Sequence, residues 1–136
     1  MGILTSIIDR TISGSFSSDL FFNVRDFAFY SCSNLTEVSF PNATRIESNA
    51  FQFCRGLTSA SFPNVTSIGN NAFYSCSNLT SIYVGTNTST VCTLSDTGAF
   101  DNCTNLTSIY VPASLVDSYK SATNWSSYAD KIKATP

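Results

Sequence analysis

Apolar residues return along this chain with a period of 22. Leu35, Val38 and Phe40 are matched by Leu57, Ala60 and Phe62, then by Leu79, Ile82 and Val84, then by Leu106, Ile109 and Val111. The last two of each set stand two apart around a polar residue, the alternation of a short strand with one face buried. A second set, Ala43/Ile46, Val65/Ile68 and Val91/Leu94, leads each time into the Ala-Phe pair that opens the next unit. Whole segments then align: AFYSCSNLTEVSFPNATRIESN (28–49), AFQFCRGLTSASFPNVTSIGNN (50–71), AFYSCSNLTSIYVGTNTSTVCTLSDTG (72–98), and a fourth from Ala99. Val24-Arg25-Asp26-Phe27 matches Ile46-Glu47-Ser48-Asn49, a partial unit ahead of the first full one. No unit of this size buries its apolar face alone, so stacking on its neighbours has to make the core. The pattern predicts a right-handed repeat solenoid with one short β-strand per coil, about four coils over 24–111, and irregular segments elsewhere.

Both ends of such a stack need covers. Over 112–136, Ser114-Leu115-Val116-Asp117 reads as a capping-box start to a helix just after Pro112. Leu115, Val116, Tyr119 and Ala122 share one face of it, and Trp125, Tyr128 and Ile132 read as a second short turn over the last coil. Over 1–23, Ile3, Leu4, Ile7, Ile8 and Ile12 have helical spacing stopped by Gly14. That predicted helix either plugs the first coil or docks the chain onto a larger assembly.

Composition narrows the chemistry. With 7 basic and 9 acidic residues among 136 and a net charge of −2, the chain lacks the basic patch that phosphate-backbone binding needs, so no nucleic-acid partner is expected. Histidine is absent, which removes the commonest general base and metal ligand and with them Ser-His-Asp, Cys-His and Cys2His2 systems. No enzymatic activity, cofactor or metal is expected. No apolar stretch approaches the ~20 residues of a membrane span, so no membrane insertion is expected, and no secretory leader is read at the start.

The cysteines keep the beat: Cys32, Cys54 and Cys76 lie 22 apart and Cys103 follows after 27. At about 4.8 Å per coil the four span roughly 14 Å, too far to converge on one zinc, and their Cβ vectors run parallel rather than toward one another. A buried ladder of reduced thiols is expected. Cys92 aligns with Thr44 and Thr66, beside an inward position, and is expected to be the most reagent-accessible of the five.

The outward strand positions form two columns, Glu37, Ser59, Ser81 and Ser108 in one and Ser39, Ser61, Tyr83 and Tyr110 in the other. The third unit carries an uncharged polar insertion, Gly85-Thr86-Asn87-Thr88-Ser89-Thr90. Insertions in repeat proteins map to one face, and Ser, Asn and Tyr combine adaptable hydrogen bonding with rigid aromatic contact. The two columns with Thr86, Asn87 and Thr88 are the candidate binding surface; the alternative is a solvated strand face. Asp96 and Asp101 read as turn residues, and Arg25 and Glu47 are placed to pair across coils, worth at most about 1 kcal/mol at the surface.

The unit A-F-x-x-C-x-x-L-T-S-I-x-V/F-P-x-x-x-x-S-I-G resembles the BspA-like class of bacterial leucine-rich repeats, over roughly residues 24–111, and the tail VPASLVDSYKSATNWSSYADKI is similar to its closing segments. It departs from the general leucine-rich pattern in having no Asn after the strand, where Pro41 or Pro63 stands instead. The resemblance implies a short leucine-rich-repeat array acting as a recognition or adhesion module toward a protein or glycan surface. Such proteins occur on bacterial surfaces and in gut bacteriophage genomes. Without a leader, the expectation leans to a phage virion-associated protein (decoration, tail or host-binding), released to the extracellular surface by lysis and touching other virion proteins through its N-terminal segment. The alternative is a fragment of a bacterial cell-surface adhesin.

Overall fold

Each coil contributes two strands rather than one. The structure, a computed structural model, describes the backbone of Ile3–Leu4 and residues 11–136 in full. Its strands are β1 (Ile3–Leu4), β2 (Gly14–Ser17), β3 (Asn23–Val24), β4 (Leu35–Ser39), β5 (Arg45–Ile46), β6 (Ser59–Phe62), β7 (Ser67–Ile68), β8 (Ser81–Val84), β9 (Thr93–Leu94), β10 (Ser108–Val111) and β11 (Ile132–Ala134). They form two parallel sheets: a six-stranded one ordered β11-β10-β8-β6-β4-β2 and a five-stranded one ordered β1-β3-β5-β7-β9. The second sheet is built from the Ile46/Ile68/Leu94 set, whose strands of two residues are too short to show an alternation in the sequence. Register follows the repeat: Val38 faces Ala60, Ala60 faces Ile82 and Ile82 faces Ile109.

A third side of each coil is the Ala-Phe-x-x-Cys turn. Its backbone bonds between coils run one way, from an N–H of one coil to a carbonyl of the next: Phe29 to Ala50 (2.7 Å), Ser31 to Gln52 (2.8 Å), Phe51 to Ala72 (2.7 Å), Phe53 to Tyr74 (2.9 Å), Phe73 to Ala99 (2.9 Å) and Ser75 to Asp101 (2.8 Å). The turn uses two left-handed residues in each of the first three coils and one in the fourth. One directly precedes the alanine (Phe27, Asn49, Asn71), and one directly precedes the cysteine (Ser31, Phe53, Ser75, Asn102). Asn suits that conformation, whereas a bulky side chain there is unusual.

Between the three sides lies an apolar core. Phe29, Phe51, Phe73 and Phe100 stack face to face at 5.0, 5.2 and 5.4 Å within 4° of parallel. Phe40 and Phe62 make a second column against them. The thiols of Cys54, Cys76 and Cys103 donate to the carbonyls of Phe29, Phe51 and Phe73 at 3.0–3.1 Å, one coil back each time. Burial, with Cys103 and Cys54 on either side, pushes the Cys76 thiol well above its ordinary value, so it stays protonated and behaves as a small apolar group with one donor.

The ends depart most from expectation. Ile3–Leu4 pairs with β3 and Gly14–Ser17 with β4, so where the predicted N-terminal helix is described the chain is extended; Ile7 and Ile8 lie outside the described residues. The first coil leaves two sheet edges with unused backbone groups, and an extended segment satisfies them where a helix cannot. Ile12 is half-buried against the core. The six-stranded sheet thus reaches beyond 24–111 at both ends, with β2 on one edge and β11 on the other.

At the C-terminal end a 3₁₀ turn, Ala113–Leu115, leads into helix α1 (Val116–Ser121). The capping box read at Ser114 is not made: Leu115 is the N-cap and no side chain caps the helix. Tyr119, Trp125 and Tyr128 are buried over the last coil, as the apolar spacing predicts. No described helix is long and apolar enough to cross a membrane.

Candidate functional site

The two outward columns assemble in register on the six-stranded sheet. Glu37 pairs with Ser59, Ser59 with Ser81 and Ser81 with Ser108; Ser39 pairs with Ser61, Ser61 with Tyr83 and Tyr83 with Tyr110. Glu37 is exposed, while Ser39, Ser59, Ser61, Ser81, Tyr83 and Tyr110 are half-buried, as neighbours across a pleated sheet shade one another. The Tyr83 and Tyr110 rings stack at 4.8 Å and 27°, so they pack as one aromatic unit. Ser108 departs from the expected outward column. It is buried because β11 adds a further strand and Lys133 Nζ donates to its hydroxyl at 3.0 Å.

The insertion is held in place. Thr88 Oγ1 donates to the carbonyl of Gly85 at 2.8 Å, and Asn87 N–H donates to Pro63 at 2.8 Å. Gly85 takes the left-handed conformation (φ 56°) that lets the chain leave β8 at once. Asn87 is exposed, whereas Thr86 and Thr88 are half-buried.

Cys92 is not the accessible thiol expected of it. It is 1% exposed, and burial pushes its pKa up to about 12; Cys103, at 7%, is the most exposed of the five. The repeat alignment behind the expectation stands, since Thr93 pairs with Ser67 and Leu94 with Ile68. What differs is the tail packed over that position. Trp125 Nε1 donates to the Cys92 carbonyl at 2.6 Å, Asn124 Nδ2 donates to the Leu94 carbonyl at 2.7 Å, and Cys92 N–H donates to the Tyr119 hydroxyl at 2.9 Å. Those side chains serve the edge of β9 as a further strand would. The groove of about 400 Å³ beside them therefore offers acceptors already in use.

The same tail closes the turn side. Phe100 N–H, next in the one-way ladder, donates to the Tyr128 hydroxyl at 3.3 Å, and that hydroxyl donates to the Thr97 carbonyl. Burial raises the hydroxyl pKa of both Tyr119 and Tyr128 to about 12. Asp96 and Asp101 flank the 3₁₀ turn Thr97–Phe100, in keeping with their reading as turn residues. Arg25 and Glu47 make the expected pair across coils, Nε to Oε2 at 3.4 Å.

A second aromatic surface, absent from the candidate residues, lies on the turn side. Tyr30 and Phe53 meet at 5.5 Å and 73°, and Phe53 and Tyr74 at 5.9 Å and 80°, with the Arg55 guanidinium 4.9 Å from the centre of the Phe53 ring. The signal that could have found it is the way 50–58 departs from the two segments on either side of it. A family model, the BspA type leucine-rich repeat region, matches residues 16–132 in six copies. No curated protein matches the chain.

Proposed function

The chain belongs to the BspA type leucine-rich repeat family, and on that premise we propose that it is a non-enzymatic recognition module of a bacteriophage particle, binding a protein or glycan on the host surface. Leucine-rich repeats generally act as scaffolds for protein binding or adhesion. The observation that carries the reading here is the stacked Tyr83–Tyr110 pair at 4.8 Å, flanked by in-register serines, beside a pinned polar insertion. Rigid aromatic area with hydroxyls around it is what a recognition surface needs. Placement on a virion rests on the resemblance and on the N-terminal coil, where Leu20 (68%) and Phe22 (53%) stand exposed as a docking face toward another particle protein.

Two measurements test this. Mass spectrometry of purified particles is expected to find the chain, and its absence removes the virion placement. Fluorescently labelled protein is expected to bind host cells, with the Tyr83→Ser/Tyr110→Ser variant at least tenfold weaker. Equal binding by that variant removes the sheet face as the recognition surface.

A further inference from the structure

Coils one and three carry the same nine residues through the turn, AFYSCSNLT at 28–36 and again at 72–80, while the coil between them reads AFQFCRGLT over 50–58. Each of the four differences falls at an outward position: Gln52, Phe53 and Gly56 are half-buried and Arg55 is exposed. Nothing in the core asks for Gln52, Phe53 or Arg55, while Gly56 answers to the backbone of the preceding coil. Phe53 sits in the left-handed conformation (φ 64°) where the other coils place Ser31, Ser75 and Asn102. That backbone is strained for a bulky side chain, and strain of this kind gathers at binding sites. Gly56 allows a close approach, since a Cβ there would stand 2.3 Å from the Ser33 carbonyl.

The result is an aromatic surface with a cation on it. Phe53 lies edge-to-face between Tyr30 and Tyr74, and Arg55 rests over the Phe53 ring. Arg55 is the sole charged residue between Glu47 and Asp96 and makes no ion pair among the described residues. Such a surface suits a ligand with an acid group for the guanidinium and an apolar face for the rings. The backbone takes no part: Phe53 N–H is bound to Tyr74, and the carbonyls of Gln52 and Arg55 already accept from Ser31 N–H and Asn78 Nδ2. An extended peptide therefore finds few main-chain groups to pair with, whereas a sugar ring offers its C–H face to the aromatics and its hydroxyl oxygens to the Gln52 amide N–H groups, the Gln52 Oε1 being taken by Asn49 Nδ2.

We propose that Phe53, Tyr74, Tyr30 and Arg55 form a binding site for a carboxylate-bearing sugar of a surface glycan. The proposal rests on the recognition reading above and names the chemistry of one ligand. Isothermal titration of the full chain with 3′-sialyllactose and a hyaluronan tetrasaccharide, against lactose as the neutral probe, tests it. At least one acidic sugar is expected to bind tenfold or more tightly than lactose. Arg55→Ser should abolish that preference, and Phe53→Ser should weaken all binding at least tenfold. Both changes install the residue of the neighbouring coils, so melting curves should stay cooperative, and Lys120→Ser, which removes a cation in the cap, should leave binding unchanged. No preference for either acidic sugar, or a preference kept in Arg55→Ser, overturns the site. A hexaglutamate peptide binding as tightly as the better sugar overturns it in favour of an acidic peptide. Sugar binding retained by the Arg55→Ser/Phe53→Ser variant while host-cell binding fails overturns this site and leaves the recognition reading standing.

Discussion

The repeated body and the C-terminal cap face the same requirement, a partner for every buried backbone group, and meet it differently. In the body the partner is the equivalent group one coil away, so Thr58 N–H reaches Thr36 and Thr80 N–H reaches Thr58. In the cap only β11 repeats that solution; elsewhere side chains stand in for a strand, Trp125 and Asn124 as donors and the Tyr119 and Tyr128 hydroxyls as acceptors. A repeated bond has copies above and below it, while each cap bond exists once. The body is therefore tolerant at single outward positions and the cap is not.

The widest test of that contrast is Trp125→Ala against Asn78→Ala, followed by urea unfolding. Trp125 is 1% exposed, packs 6.1 Å from Phe100 and holds the Cys92 carbonyl, so its loss should destabilise by about 3–5 kcal/mol. Asn78 is exposed and holds the Arg55 carbonyl from outside, and its loss should stay within about 0.5 kcal/mol. Equal losses would erase the distinction. Tyr128→Phe keeps the ring against Phe100 and removes the hydroxyl that serves Phe100 N–H and Thr97. It should lower stability by about 1–3 kcal/mol, the usual effect of stranding a buried group.

Alkaline pH should separate the two regions without mutation. Tyr119 and Tyr128 carry pKa values raised to about 12, against about 10 in an unfolded chain. Between those values the unfolded state binds fewer protons than the folded one, so stability falls as pH rises. The tyrosine contribution is complete below pH 10 and lost through pH 12, and the raised thiols of Cys76 and Cys92 add a loss that starts near their ordinary value of about 9. Hydrogen exchange at rising pH should show protection of Phe100 and Cys92 N–H failing before that of Thr58 and Thr80. The smallest effect belongs to the body's surface: a double-mutant cycle on Arg25 and Glu47, side chains 49% and 20% exposed, should yield at most about 1 kcal/mol and shrink in salt.

This contrast also marks what could be read in the sequence. Whatever repeats was legible: the 22-residue period, the strand register, the thiol ladder, the outward columns and the Arg25–Glu47 pair. The second sheet was not, because a two-residue strand leaves no periodicity. Burial of Cys92 and Ser108 depends on single-copy neighbours, Trp125 and Lys133, that the alignment of repeats cannot bring close. At the N-terminal end, helical spacing lost to the pairing offered by the open edges of β3 and β4. The Tyr30–Phe53–Tyr74 surface was present in the residues, but as a difference between coils rather than a likeness.

The one-way bonding of the turn side gives the stack a direction. In the two sheets, peptide dipoles alternate and largely cancel, whereas in the turn every coil-to-coil N–H points toward the C-terminal end, so dipoles of about 3.5 D each add along the axis. The polarity is opposite in sense to that of an α-helix, positive at the chain's C-terminal end, where Asp101 sits 3.5 Å from the Tyr128 hydroxyl. Two faces of opposite sign on one molecule fit each other head to tail, the geometry that grows open filaments rather than closed pairs. By occupying Phe100 N–H, Tyr128 takes up one of the ladder donors at that end. The cap covers part of the end at which the stack would otherwise continue.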